Sequence, residues 1–264
     1  MILRRLGNKK KIAKKIQSYF PPHKIYIEPF FGAGGMFFNK PKAKYNYLND
    51  FDNDVFNLFM TIKEKQIELS KWIELMPVHE TLFKHWKNNE ENSDIWKAIR
   101  FLMLSNWGFL GIARTMTHQA GRMPKKIIIA RMEETLKFVG DSDFLSFDFR
   151  ILFNKISLSE KDKYNTFNYS DPPYLDADSQ QNYAYKIEKW TKKDVIDCFD
   201  VTFNSGIKGA MSEFNHPFIL AEAKKRNLNI IYIGERHNIR NKKTEVLITN
   251  YQNNPSLFDG LGCL

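Results

Sequence analysis

Short apolar runs that end at polar or glycine-rich turns recur along the chain. They have the length and the β-branched or aromatic content of buried strands, and helical patterns separate them. The predicted strands cover residues 25–27, 45–48, 167–170, 207–212, 230–233 and 245–249. The helical patterns include residues 193–203 and 218–227. Because strands that alternate with helices form parallel sheets, the sequence predicts an α/β fold with a mainly parallel sheet wrapped by helices.

A stretch from Val55 to about Leu110 has a helical spacing of apolar residues instead. Ile95, Ile99 and Leu102 recur at this spacing after Ser93, a residue type that commonly caps helix starts. The stretch therefore predicts a helical insert within the sheet domain. Glycine, threonine and proline then accompany basic residues over 108–126, a composition that predicts a basic loop or hairpin. Its basic residues include Arg114, Arg122, Lys125 and Lys126.

Composition narrows the class of protein. The chain has 264 residues, of which 43% are hydrophobic, enough for one large core with a smaller appended lobe. Forty Lys and Arg against thirty Asp and Glu give a net charge of +10, which favours a polyanionic partner such as nucleic acid. A merely lysine-rich solvated surface is the alternative explanation of this charge.

The cysteines and histidines show no pattern of a metal site. Cys198 and Cys263 lie far apart, and the six histidines, among them His79, His85 and His118, lack ligand spacing. We therefore expect neither a metal nor a disulfide. The basic start of the chain lacks the apolar core of a signal peptide, and no stretch approaches membrane-spanning length, so we expect a cytoplasmic protein.

Polar and glycine residues follow two of the predicted strands. The segment Glu28-Pro29-Phe30-Phe31-Gly32-Ala33-Gly34 follows the first strand, where glycines allow a nucleoside cofactor to approach the backbone. Asp50 follows the second strand, in the place from which an acidic side chain accepts hydrogen bonds from ribose hydroxyls. An ordinary turn after the strand and a helix cap at Asp50 are the alternatives.

The segment Asp171-Pro172-Pro173-Tyr174 follows a third strand. Two prolines fix their own φ angles and restrict the residues before them, which gives a stiff, extended shelf. An adenine amino nitrogen is a poor nucleophile, and the Asp171 carboxylate and the Pro172 carbonyl could accept its two hydrogens. The ring of Tyr174 could stack on an extruded base. A proline-rich turn without function is the alternative.

These motifs, in this order, resemble the Dam-type DNA adenine N6-methyltransferases. The resemblance also covers Leu6-Gly7-Asn8-Lys9, residues 101–111 and residues 244–251, and so nearly the whole chain. It implies a Rossmann-like, mainly parallel, seven-stranded methyltransferase sheet with a helical target-recognition insert and a basic hairpin. It implies a catalytic domain formed by residues 1–54 and 141–264, with residues 55–140 as the insert that binds DNA.

The resemblance also implies the ligands and the site. S-Adenosylmethionine is the implied cofactor, and double-stranded DNA is the implied substrate. The implied cofactor-binding residues are Gly7, Asn8, Lys9, Glu28, Pro29, Phe30, Gly32, Ala33, Gly34, Asp50, Phe147 and Asp171. Asp171, Pro172, Pro173 and Tyr174 are the implied catalytic segment, with Lys9 between the cofactor and the target base. The implied DNA-binding residues are Arg4, Arg114, Arg122, Lys125 and Lys126.

One residue departs from the family pattern, and several roles stay open. Arg5 stands where relatives usually carry an aromatic residue, so stacking on the cofactor is not expected there. Tyr183 and Trp190 either close over the base or belong to the core. The tail at 254–258 resembles peptides that dock replication clamps, although a flexible end is favoured. We expect a monomer, with a cognate restriction endonuclease as a further candidate partner.

Other substrates and another class of protein remain alternatives. An amino-methyltransferase of this kind can act on cytosine N4, on adenine in RNA or on a glutamine side chain of a protein. Asp171 and the order of the motifs favour adenine in DNA. A DNA-binding protein that has lost catalysis is the alternative of another class, and the intact glycine loop and Asp171 segment argue against it.

Overall fold

The computed structural model describes residues 2–5, 9–118, 121, 123–175, 190–237 and 242–252. One seven-stranded sheet runs through the described part of the chain. Its strands are β1 (Ile25–Glu28), β2 (Tyr45–Asn49), β3 (Asp143–Leu145), β4 (Thr166–Ser170), β5 (Lys208–Phe214), β6 (Asn229–His237) and β7 (Lys242–Thr249). The spatial order is β3-β2-β1-β4-β5-β7-β6. The pairs from β3 to β5 are parallel, whereas β7 is antiparallel to both β5 and β6.

The sheet confirms the predicted fold class and extends several of the predicted strands. Short β3, with three residues, was not predicted, because three residues carry too little alternation to be recognised. The last two strands are longer than predicted because they continue as a paired ribbon through polar residues. A bulge between Tyr232 and Gly234 interrupts their register.

Helices cover both faces of the sheet. They are α1 (Ala13–Gln17), α2 (Asn53–Leu75), α3 (Glu80–Asn88), α4 (Asp94–Trp107), α5 (Pro124–Val139), α6 (Phe149–Lys155), α7 (Glu160–Tyr164), α8 (Lys192–Phe203) and α9 (Pro217–Lys225). Local sequence explains their starts. Ser93 accepts a hydrogen bond from the Trp96 amide, which confirms the predicted cap of α4, and Thr191 forms a capping box with Asp194 at α8.

Apolar side chains alternate between the two faces of the central strands. Tyr26 on β1 and Phe167 on β4 pack on the side of α1, α2, α4 and α5. Ile25 and Ile27 on β1 pack on the opposite side with Leu152 of α6. Because both faces of the central strands are covered, the polar groups that function needs are confined to the strand ends.

The helices of the predicted insert share a core with the sheet. Phe59 of α2 packs on Phe31 and Phe144, with ring centroids 5.0 and 5.1 Å apart, and α4 and α5 add apolar side chains to the same cluster. The helical insert predicted for 55–140 is thus present as α2 to α5. The division of the chain into two domains stays a prediction.

The basic segment after α4 is part hairpin and part helix. Gly108 and Met116 form an antiparallel bridge, in agreement with the predicted hairpin. The prediction of a loop up to Lys126 is wrong, because α5 begins at Pro124 and places Lys125 and Lys126 in its first turn. Proline fixes its φ angle and lacks the N–H that a helix start would leave unsatisfied, so it favours this early start.

The start of the chain is tied to the end of α4. The Ser105 hydroxyl accepts from the Arg4 amide at 2.9 Å and donates to the Arg4 carbonyl at 2.6 Å. The side-chain amide of Asn106 donates to the Ile2 carbonyl at 2.9 Å. These bonds hold Ile2 and Arg4 against α4.

We predict that Phe59→Ala lowers the free energy of unfolding by about 3–5 kcal/mol, because it removes a buried ring from the shared core. Ile67→Ala is the matched control, since Ile67 lies in the same helix but is 83% exposed. Its effect should stay within about 0.5 kcal/mol. Urea unfolding followed by circular dichroism measures both. An unchanged midpoint for Phe59→Ala would contradict a core shared by α2 and the sheet.

Candidate active site

A cavity of about 990 Å³ opens at the carboxyl ends of β1, β2 and β4. Three of the predicted segments meet in it, because neighbouring parallel strands end at the same edge of a sheet. The predicted residues that line the cavity are Lys9, Glu28, Pro29, Phe30, Gly32, Ala33, Asp50, Phe147, Asp171 and Pro173. Its volume lies at the upper end of the range for small-molecule sites.

The glycine loop presents backbone to this cavity. Gly32 has a φ of +55°, and a Cβ placed on it would find no atom within 4 Å, so its backbone borders open space. Gly34 differs, because a Cβ there would lie 2.4 Å from the ring of Phe38. Gly34 is not among the cavity-lining residues, so its small size serves packing of the loop.

Asn49 joins the glycine loop to the opposite wall of the cavity. Its side-chain amide donates to the carbonyls of Pro29 and Phe147, both at 3.0 Å, and its carbonyl oxygen accepts from the Phe147 amide at 2.9 Å. Buried Asn49 thereby sets the distance between the two walls. This role was not predicted from the sequence, although the Asn49-Asp50 pair at the strand end was a signal for it.

Asp50 is held by backbone amides on both of its oxygens. One oxygen accepts from the Gly32 amide at 2.6 Å and the other from the Asp52 amide at 2.9 Å. Each carboxylate oxygen has two lone pairs, so Asp50 retains acceptor capacity toward the cavity. Burial raises the pKa of Asp50, and the nearby Arg5 charge and the two amide bonds oppose that rise. The predicted ribose contact fits this arrangement.

Arg5 fixes the start of α2 at the edge of the cavity. Its guanidinium lies 2.6 Å from the Asp52 carboxylate, and Asp52 also caps α2 by accepting from the Asp54 amide. The same guanidinium lies over the ring of Phe101 at 5.8 Å. The departure from the family pattern at Arg5 therefore supplies a partly buried ion pair that lines the cavity.

Glu28 is a buried acid at the end of β1. Its carboxyl accepts a hydrogen bond of 2.9 Å from the Tyr26 hydroxyl. Burial raises the pKa of Glu28 well above its ordinary value, against the opposing Tyr26 bond, and the charge of Asp171 raises it further. Glu28 consequently binds its proton over a wider pH range than an exposed glutamate does.

Lys9 and Asp171 meet in a compact polar cluster. The Lys9 ammonium lies 3.0 Å from Asp171 Oδ1 and 2.7 Å from Glu245 Oε1, and it contacts the Tyr174 hydroxyl. That hydroxyl lies 3.1 Å from Asp171 Oδ1 and 2.5 Å from Glu245 Oε1. We call these four residues, Lys9, Asp171, Tyr174 and Glu245, the lysine cluster. A fifth of the Asp171 side chain is exposed. Of the two carboxylates in the cluster, Asp171 lines the cavity and Glu245 does not.

The expected stacking face of Tyr174 is covered in this structure. The ring is 7% exposed, packs edge-on against Phe214 with centroids 4.5 Å apart, and has the Lys9 ammonium 4.3 Å from its centroid. A base cannot stack on the ring in this position, and the stacking of an extruded base on Tyr174 stays a prediction. The hydrogen bonds between its hydroxyl and the carboxylates of Asp171 and Glu245 hold the ring in this buried position. Pro172 is buried as well and does not line the cavity.

The sequence did not reveal the charged part of the far wall around Arg150, although Phe147 and Trp190 of the same wall were candidates. Arg150 donates from Nε to Asp197 at 2.7 Å, contacts Asp194, and lies 3.2 Å from Asp148. Trp190 packs on Phe30 and Phe149, with centroids 6.0 and 5.7 Å apart, so its ring contributes to the wall and to the neighbouring core. Single charged residues on two helices that are distant in sequence, α6 and α8, give no motif, which explains why they were missed.

The predicted DNA-binding residues differ in their exposure to solvent and in whether their charged groups already have partners. Arg114 and Lys126 are exposed, and Arg4 is half-buried. Lys125 donates to the Glu74 carbonyl at 2.9 Å and contacts the Met76 carbonyl, so its ammonium caps the end of α2. Its direct role at a phosphate is therefore disfavoured. Gly7, Asn8, Arg122, Tyr183 and the tail at 254–258 lie outside the described residues.

The described residues contain neither a metal-binding cluster nor a membrane-spanning helix. Within them, no group of three or more His, Cys, Asp or Glu side chains is arranged to hold a metal ion. No helix in that part of the chain is long and apolar enough to cross a membrane.

The fold and the site together define a class of protein. A seven-stranded sheet with β7 antiparallel between β5 and β6, and a cavity with a glycine loop and an acid at the ends of β1 and β2, define a Rossmann-like S-adenosylmethionine-dependent methyltransferase. The model for D12 class N6 adenine-specific DNA methyltransferases matches residues 6–246. The chain belongs to this family, and it is an adenine-specific DNA methyltransferase that uses S-adenosylmethionine.

Individual relatives agree with the family. The chain is 25% identical to the Type II methyltransferase M1.LlaDCHI of Lactococcus lactis subsp. cremoris, over 94% of both chains. It is 28% identical to a DNA adenine methylase of Haemophilus influenzae, over 67% of this chain and 65% of that protein. A solved human methyltransferase 10 domain containing protein has a TM-score of 0.38 and 8% identity, covering 93% of this chain and 84% of that one. That structural similarity is too low to support a conclusion about this chain.

We predict that Asp50→Asn weakens binding of S-adenosylhomocysteine about tenfold, because a charged hydrogen-bond acceptor at the cavity is lost. Asp143→Asn, a change of the same kind at an exposed position on β3, is the control and should bind normally. Isothermal titration calorimetry gives the two affinities, and thermal unfolding verifies that both variants are folded. Equal affinities would exclude Asp50 from the cofactor site.

Proposed function

We propose that Asp171 is the acceptor that activates the amino group of a target adenine extruded from duplex DNA. The observation that carries this proposal is the position of Asp171 at the end of β4, in the same cavity as the glycine loop and Asp50. A methyl donor at the loop and an adenine at Asp171 would be neighbours there. The family gives the reaction, and this geometry supports the role of each residue.

The chemistry of adenine explains why a fixed carboxylate is needed. The lone pair of N6 is delocalised into the ring, and a carboxylate that accepts from the amino group draws that pair back toward nitrogen. Lys9 and Tyr174 both contact Oδ1 of Asp171, which fixes the orientation of the carboxylate before substrate arrives. Preorganised polar groups of this kind usually give the largest contribution to catalysis.

Cofactor binding is assigned to the first two strand ends. The backbone of Gly32 borders open space that the cofactor can occupy, and the Asp50 carboxylate can accept further hydrogen bonds from it. When bound, S-adenosylmethionine supplies an electrophilic methyl group. Phe30 and Phe147 supply apolar walls that exclude water, and Asp171 is placed to accept a proton from the amino group of adenine.

The predicted stacking of a base on Tyr174 stays a prediction, and we assign a second role to its hydroxyl group. A phenol has one hydroxyl proton, so Tyr174 can donate to Asp171 or to Glu245 at one time while it accepts from Lys9. In this arrangement it orients Asp171. A rearrangement of the lysine cluster would be needed before its ring could face a base.

DNA binding is assigned to the basic hairpin and the neighbouring helix. Arg114 and Lys126 are exposed, and the net charge of +10 favours the phosphate backbone. Phosphate contacts position a protein on DNA, whereas contacts to base edges select the sequence. Arg4 and Arg122 keep the DNA-binding role that the family resemblance implies.

The setting of the reaction is also proposed. The similarity to a Type II methyltransferase over nearly the full length supports a place in a restriction-modification system, with a cognate endonuclease as partner. We propose that the enzyme acts as a monomer in the cytoplasm. A clamp contact through the tail receives no support from the described residues.

We predict that Asp171→Ala lowers methyl transfer to DNA by at least about a hundredfold while S-adenosylhomocysteine still binds. The assay combines labelled S-adenosylmethionine with mixed-sequence duplex DNA and locates N6-methyladenine by sequencing. Wild-type protein should methylate adenine within one short motif. Asp143→Ala, at the exposed start of β3, is the control.

Either of two results would overturn the proposal. Activity retained by Asp171→Ala would remove Asp171 from the catalytic centre. Wild-type protein that binds the cofactor and labels RNA or protein, but not DNA, would show that the substrate is wrong.

A further inference from the structure

A second carboxylate of the lysine cluster lies behind Asp171 and away from the cavity. Glu245 on β7 is 1% exposed and is not among the cavity-lining residues, whereas Lys9 and Asp171 both line it. Glu245 therefore contacts Lys9, which lines the cavity, but does not line the cavity itself.

The antiparallel strand explains how Glu245 reaches this place. β7 pairs with β5, and this register puts Glu245 opposite Phe214, the residue against which the Tyr174 ring packs. β5 in turn pairs with β4, which ends beside Asp171. The reversed direction of β7 brings its early residues to the edge where the parallel strands end. Glu245 thus reaches the edge from the opposite direction.

The buried ammonium of Lys9 requires more than one hydrogen-bond acceptor. The Lys9 side chain is 2% exposed, and a buried ammonium is costly unless its three N–H groups find acceptors. Asp171 Oδ1, Glu245 Oε1 and the Tyr174 hydroxyl are the acceptors in the structure. A lysine stem is flexible, so the ammonium stays beside Asp171 only while several partners define its position.

Of the two carboxylates, Glu245 holds the ammonium more closely. Its oxygen lies 2.7 Å from Lys9 Nζ, against 3.0 Å for Asp171, and it lies 2.5 Å from the Tyr174 hydroxyl. Because Glu245 shares the charge of Lys9, Asp171 need not be fully neutralised by it. Asp171 can then remain an effective acceptor for an incoming amino group.

We propose that Glu245 is a positioning residue for methyl transfer, which holds Lys9 and Tyr174 against Asp171 and leaves the Asp171 carboxylate available to the substrate. The inference rests on the proposed role of Asp171. It extends the functional site to β7, a strand whose residues 244–249 carry part of the family resemblance but supplied none of the predicted site residues.

A buried glutamate on the adjacent strand behaves differently. Glu213 on β5 is also 1% exposed, but its oxygens accept from the backbone amides of Leu175 at 3.3 Å and Phe214 at 2.9 Å. It therefore shapes the backbone after the Asp171 segment. Of these two buried glutamates, Glu245 is the one that forms an ion pair with Lys9 among the described residues.

The test is Glu245→Gln, which keeps the size and an acceptor oxygen but removes the charge. We expect the single-turnover rate of methyl transfer to fall about ten- to a hundredfold, as misplacement of reacting groups does. The dissociation constants for S-adenosylhomocysteine and for DNA should change by less than about twofold, because Glu245 does not line the cavity. Glu160→Gln, at an exposed position of α7, is the control.

A double-mutant cycle separates positioning through Lys9 from a purely structural effect. If Glu245 acts through Lys9, the double variant with Lys9→Gln and Glu245→Gln loses clearly less activity than the product of the two single losses. Multiplicative losses would overturn the proposal, as would a wild-type rate in folded Glu245→Gln. Thermal unfolding of each variant identifies loss of fold, and the cycle is then run with Glu245→Asp.

The role of Asp171 is tested separately in the same assay. If Asp171→Ala is inactive while Glu245→Gln is normal, only the role of Glu245 fails. If Asp171→Ala is active, the proposed function of Asp171 fails, whatever Glu245→Gln shows.

Discussion

The common end point of three parallel strands is the constraint on which the site depends. β1, β2 and β4 are hydrogen-bonded in register, so Glu28, Asp50 and Asp171 are delivered to one edge although 143 residues separate the first from the last. Their strands are covered on both faces by apolar side chains, and polar groups there would be costly. The strand ends are the place where these carboxyl groups meet a cavity.

Carboxyl groups at one edge repel one another, and the structure offsets this in three ways. Asp50 is held by two backbone amides, Glu28 has a raised pKa and a Tyr26 hydrogen bond, and Asp171 has the Lys9 ammonium. The three environments differ, so the acids are suited to different tasks. Asp50 is an anchored acceptor, Glu28 is a buried acid whose pKa burial raises, and Asp171 is a partly exposed carboxylate.

Sequence predicted the elements that carry periodic or motif signals. The strands with apolar runs, the cap at Ser93, the glycine loop and the Asp171 segment were all recognisable, because each depends on neighbouring residues. The short strand β3, the Asn49 bridge and the Arg150 contacts were not, since each depends on partners distant in sequence. Glu245 is a charged residue in a predicted strand and lies in the family-like segment 244–251, but neither observation gave it a role in the site. Its partner Lys9 lies 236 residues earlier, so their contact could not be predicted from local pattern.

The most direct test of the account is the structure of the protein with S-adenosylhomocysteine and a duplex that contains its methylated motif. We expect the target adenine outside the helix, with N6 about 3 Å from an Asp171 oxygen and Lys9 still between Asp171 and Glu245. An adenine that remains stacked in the duplex, or an N6 held by other groups away from Asp171, would contradict it.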